Sequence, residues 1–84
     1  MSPGVAVVLT NLGVALAGLG QPEEAIRSFD EALAIDPRDP LTWHNKGLAL
    51  AKLGREEEAM HCFSQYRDLA GNHHPPAINP LPFR

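Results

Sequence analysis

The chain has little that would staple, steer or anchor it. One cysteine, Cys62, among 84 residues leaves no intramolecular disulfide, which excludes the small stapled secreted scaffolds and makes the cytoplasm the expected compartment. Basic charge is also short. Seven Lys and Arg against ten Asp and Glu give a formal charge of −3, and a nucleic-acid partner, which needs a basic face, is not expected. Charge of either sign is missing from Met1 through Pro22. That stretch is still no secretory signal, since no Lys or Arg precedes its apolar run. Thr10, Asn11 and several glycines interrupt it well short of the ~20 apolar residues that span a bilayer. A buried helix is expected there, and no membrane partner. Length adds a further limit, because 84 residues make one small domain and no multidomain enzyme. A fold of this size buries only about 60% of the surface its unfolded chain exposes, so support from a partner or a second copy is expected.

The groups that carry chemistry are equally sparse. His73 and His74 are adjacent, whereas a helical metal pair needs i, i+4 spacing, and no C-x-x-C accompanies them. Cys62 and His61 are sequence neighbours, which on a helix aims their side chains about 100° apart and leaves the cysteine as a small buried residue. Glu56 to Glu58 read as helix-start charge rather than as paired catalytic carboxylates. No glycine-rich phosphate loop occurs. The expectation is no catalytic residue, no metal and no cofactor.

Proline and glycine are plentiful by contrast, with eight and seven copies, and they punctuate an internal repeat. Shifted by 34 positions, Asn11 falls on Asn45, Gly13 on Gly47, and Ala15-Leu16-Ala17 on Ala49-Leu50-Ala51. Leu19-Gly20 falls on Leu53-Gly54, Glu23-Glu24-Ala25 on Glu57-Glu58-Ala59, and Phe29 on Phe63. More than half of the aligned pairs between Leu9 and Phe29 are identical. The chain is two copies of one unit, about residues 3–37 and 38–71, followed by a Pro-rich tail, 72–84.

Each unit reads as two helices. Ser2-Pro3 starts the first and Gly20 ends it; Pro22 opens the second, which Asp36-Pro37 terminates after Ile35. Asp39 is a natural N-cap with Pro40 behind it, the third helix stops at Gly54, and the fourth runs from Glu56 to about Ala70. The apolar spacing of Trp43, Gly47 and Leu50, and of Ala59, Phe63, Tyr66 and Ala70, puts a stripe on each helix that must face its neighbour. Mid-helix Gly13 and Gly47 cost about 1 kcal/mol each relative to alanine, which close approach of helix backbones would explain. Ala25 and Ala59 leave room that Phe29 and Phe63, one turn later, would fill. The fold class is therefore all-α: tandem antiparallel helical hairpins, four helices in all. Four prolines block helix in the tail, which is either disordered or packed back through Ile78, Leu81 and Phe83.

These residues resemble the tetratricopeptide repeats, whose pattern begins W-x2-L-G-x2-Y, continues A-x3-F and ends in P over about 34 residues. The second copy reads Trp43-x2-Lys46-Gly47-x2-Leu50, then Ala59-x3-Phe63; the first reads Leu9-x2-Leu12-Gly13-x2-Leu16, then Ala25-x3-Phe29 and Pro37. Lys46 stands where leucine is usual and Gly71 where the next proline would be, departures that suggest the array ends here. The resemblance implies a superhelix whose first helices line a concave surface that holds an extended peptide of another protein. Candidate contact residues on that surface are Leu41, His44, Asn45, Leu48 and Lys52 in the second copy and Val7, Thr10, Asn11, Val14 and Gly18 in the first. A clamp for a terminal carboxylate is not expected, because Val14 and Leu48 stand where such members carry asparagine and Lys52 is the only cation of the row.

The uncharged first helix carries a separate implication. Terminal repeats normally keep a polar outer face, yet this helix is apolar all round. Either preceding repeats of a longer array are missing and the chain is a capping piece with no ligand of its own, or a second molecule covers the face. A homodimer through Val5, Val8, Leu9 and Leu12 is the expectation. The fourth helix, with His61, Ser64, Arg67 and Asp68 pointing outward, reads as a solvated end.

Overall fold

The computed structural model describes residues 2–71, so the tail at 72–84, and with it the choice between disorder and folding back, lies outside the described residues. Four helices follow one another: α1 (Pro3–Gly18), α2 (Pro22–Ile35), α3 (Pro40–Lys52) and α4 (Glu56–Leu69). Each boundary lies within a residue or two of the position that proline and glycine mark in the sequence.

The local causes are visible at both ends of the helices. Pro3, Pro22 and Pro40 occupy first-turn positions, where a missing N–H costs nothing. Asp39 caps α3, its carboxylate accepting from the Leu41 amide at 3.1 Å. At the C-terminus of α1 the amide of Gln21 donates to the Leu16 carbonyl at 2.9 Å and that of Gly20 to Ala17 at 3.1 Å, with Gly20 at φ 81°. The same pair of bonds recurs after α3, from Arg55 to Leu50 and Gly54 to Ala51, both 3.0 Å, with Gly54 at φ 78°. This double-bonded left-handed stop needs glycine, since a side chain there costs about 1–2 kcal/mol.

Two antiparallel hairpins, α1/α2 and α3/α4, are joined because α2 also packs along α3, while α1 and α3 touch only narrowly. The core lies where the hairpins meet, around Ala25, Ile26, Phe29, Ala49, Leu50, Ala59 and Cys62, with Leu16, Trp43 and Phe63 against it. Phe29 is 1% exposed, worth roughly 1.5–3 kcal/mol of burial for such a side chain. Both mid-helix glycines owe their place to a ring rather than to backbone contact. A Cβ on Gly47 would lie 2.6 Å from Phe63 Cε1, and one on Gly13 would overlap the Phe29 ring likewise.

Polar contacts lock the two hairpins in register. Thr42 donates to the Asp39 carboxylate at 2.8 Å, leaving its oxygen to accept from Thr10 at 2.7 Å, so a buried hydroxyl relay crosses from α1 to α3. Trp43 Nε1 donates to the Pro37 carbonyl at 2.8 Å. Lys46, the departure from the repeat pattern, reaches Asp30 of α2 at 2.7 Å and lies over the Trp43 ring. An ion pair thus takes the place of the usual leucine contact between the units.

Candidate functional site

Between α1 and α3, which touch only narrowly, lies a hollow of about 250 Å³ lined by Val14, Ala17, Gly18, Phe29, Asn45, Leu48, Ala49 and Lys52. Its construction follows from side-chain size. Ala17, Gly18 and Ala49 are too small to close the gap that the diverging helices leave, and the rim of Phe29 shows at its floor. Val14 and Leu48 stand at equivalent repeat positions, 48% and 47% exposed, and flank the opening as an apolar pair. Asn45 and Lys52 are its polar members.

Of the residues that the sequence points to, the hollow therefore gathers Val14, Gly18, Asn45, Leu48 and Lys52. Val7 and Leu41 lie exposed further toward the helix starts, and Asn11 is exposed on α1. Two residues turn away. Thr10 is buried with its hydroxyl bonded to Thr42, so it holds the hairpins together instead of facing a ligand. His44 is half-buried, its ring 5.7 Å from Phe63 and 4.9 Å from Tyr66. Its Nδ1 is buried with no hydrogen-bond partner among the described residues. Both occupy the same repeat position, at the border between the concave row and the packed face, where inter-helix angle rather than spacing decides the side. Ala17, Ala49 and Phe29 also line the hollow but are not candidate contact residues in the sequence, where the first two stand out as repeat-matched small side chains and Phe29 as a packing ring.

The outer side of α1 is a second apolar surface. Val5, Val8 and Leu12 are exposed there, Val8 to 65%. Leu9 is half-buried toward α2, and its carbonyl accepts from Ser28 Oγ at 2.7 Å. A second hollow, of about 260 Å³, is lined by Lys46, Leu50, Glu57, Glu58, His61 and Cys62 of α3 and α4. Burial pushes the Cys62 thiol up, away from the thiolate that nucleophilic chemistry requires. The nearby Arg55 guanidinium, bidentate on Glu58, holds that carboxyl below its usual range and is itself raised. Both groups are exposed, which makes this pair a helix-start ornament of α4 rather than a site. Among the described residues no helix is long and apolar enough to cross a membrane.

Known proteins fit this architecture at the level of the family. No curated protein matches the chain. The tetratricopeptide repeat matches it twice, at residues 6–39 and 28–61. The first match covers the α1/α2 hairpin and the second the α2/α3 junction with the start of α4, so the two overlap on the helix that joins the units. With matches running from residue 6 to residue 61 over helices that stack as tandem hairpins, the chain belongs to the tetratricopeptide repeat family, an architecture that mediates contacts between proteins.

Proposed function

We propose that this chain is a protein-interaction module that binds an extended segment of another protein along the α1/α3 concave side and associates with itself through α1. The observation that carries the first half is the open apolar hollow between equivalent positions of the two units, flanked by Val14 and Leu48. An extended ligand would insert one apolar side chain there. Asn45 would pair with its backbone and Lys52 with an acidic side chain beside the inserted one, while Val7, Asn11 and Leu41 extend the contact toward the helix starts. Thr10 and His44 take no part. Catalysis and a cofactor are not part of this role, and the cytoplasm is the compartment that suits a lone buried thiol.

Phage display of random decapeptides on the purified chain tests it. Selected peptides should pair an apolar with an acidic residue and should bind Leu48→Asp at least ~10-fold more weakly, the cost of setting a charge in an apolar pocket. Peptides that bind Leu48→Asp as well as the parent chain would overturn the groove assignment.

A second reading, a piece of a larger helical scaffold, draws on His44. The equivalent Thr10 bonds forward to Thr42 of the next unit, whereas His44 Nδ1 has no partner among the described residues, as expected where a further unit would supply one.

A further inference from the structure

The outer face of α1 has more order than a scatter of apolar residues. Val5, Leu12 and the C-cap residue Leu19 are spaced by sevens, with Val8 and Ala15 three residues after the first two, which is the a/d spacing of a helix-pairing seam. All five are exposed, Leu19 to 72%. Their counterparts one unit later are Asp39, Thr42, Lys46, Ala49 and Leu53, and every one of those is buried or half-buried, Thr42 and Lys46 against the preceding hairpin. The same face of the same helix type is thus covered in one unit and bare in the other.

What fits the bare face is limited by charge and hydrogen bonding. On the covered side polar groups meet polar partners: Lys46 pairs with Asp30, Thr42 with Thr10, and Trp43 with the Pro37 carbonyl. On α1 these positions are Leu12, Val8 and Leu9, which offer no such bonds. Stacking α1 head-to-tail on the far end of another copy would set Leu12 against Ser64 and Val8 against His44, the equivalents of Asp30 and Thr10. Buried Leu33 has the exposed cation Arg67 as its counterpart there. That pairing would bury polar groups without partners, at a cost that the apolar contact does not recover. Among the four helices only α1 lacks charge altogether.

The geometry points to a closed pair in which the seam Val5-Val8-Leu12-Ala15-Leu19 of one copy packs on the same seam of a second copy, with Leu12 at the middle meeting its own counterpart. This rests on the proposal that the chain self-associates and specifies the face and the symmetry. Because the contact is isologous it closes at two copies, and it leaves both concave grooves free.

Sedimentation equilibrium of the full chain from about 1 μM to about 1 mM, a range that brackets weak to moderate pairs, separates the possibilities. Expected are a monomer–dimer equilibrium and a ~10-fold or greater weakening in Leu12→Lys, which places at the seam the residue α3 carries at that position. Val8→Lys should weaken it as well, so that a folding defect in one variant does not decide the matter; circular dichroism confirms the helices of each. Met60→Lys, on the exposed side of α4, should leave the equilibrium unchanged. In a Cys62→Ala background, Leu12→Cys should oxidise rapidly to a disulfide-linked dimer. A parent chain that stays monomeric throughout overturns self-association itself. A dimer that survives both lysine variants overturns the seam alone, and open-ended growth, or a loss in Met60→Lys, shows head-to-tail stacking instead.

Discussion

α1 and α3 are copies of one helix placed in two environments, and the contrast separates what a repeat needs for folding from what it leaves for recognition. On the inward side they agree: Gly13 and Gly47 each receive a phenylalanine ring, and the same two-bond glycine stop follows each helix. On the side facing the preceding unit they part. α3 spends that face on Thr42, 0% exposed, and on the Lys46 ion pair, whereas the same face of α1 presents Val5, Val8, Leu12 and Ala15 to solvent. Packing residues are shared between copies because each hairpin must fill the same space. Junction residues diverge: α2 packs against that side of α3, and among the described residues no helix takes the equivalent place on α1.

The largest test of that contrast compares the two rings. Phe29, closed over by α3, should cost about 3–5 kcal/mol when replaced by alanine. Phe63, half-buried at the open end, should cost about half as much in chemical denaturation at low micromolar concentration, since part of its surface is already wet. Equal costs would mean that the far end is covered too. Next in size is the hydroxyl relay. Thr42→Val leaves Thr10 buried without an acceptor and should cost about 1–3 kcal/mol, while Thr10→Val with Thr42→Val should recover part of it, because two apolar groups leave nothing unsatisfied on α1. Val8→Thr, the equivalent of the α3 residue on the bare face, should leave monomer stability within about 0.5 kcal/mol.

Helix number, order and limits were legible in the sequence because Pro3, Pro22, Pro40, Gly20 and Gly54 fix them locally, each by a backbone constraint that needs no tertiary partner. The self-alignment supplied the pairing of hairpins for the same reason. Thr10 and His44 were not legible as inward-facing, since a residue at the edge of a helix face is turned in or out by the crossing of two helices. Lys46 looked like a broken pattern until Asp30 of the neighbouring helix supplied its partner, a pairing that no single-helix periodicity contains. The hollow beneath Val14 and Leu48 is likewise a property of two helices diverging.

Smaller effects sharpen the same comparison. Lys46→Ala should cost about 0.5–1 kcal/mol, as a partly exposed ion pair does, and the loss should shrink in high salt. Glu58→Gln should leave the melting temperature unchanged at neutral pH, because both partners of the Arg55 pair are exposed and such surface pairs contribute little. Arg55 lowers the Glu58 carboxyl, so whatever that pair contributes is present above the ordinary carboxylate range and fades as pH falls through the lowered folded value. A clear drop on neutralising Glu58 would assign that helix start a larger part than its exposure allows.

Cysteine labelling at one repeat position reads the central contrast most directly. Ala15 and Ala49 are the same residue at the same place in the two copies, one exposed and the other 2% exposed. In a Cys62→Ala background, Ala15→Cys should react with a maleimide at nearly the rate of a free thiol in dilute solution and slow as concentration rises. Ala49→Cys should stay protected at every concentration. Equal rates at the two positions, or an Ala15→Cys thiol already protected when dilute, would contradict the account.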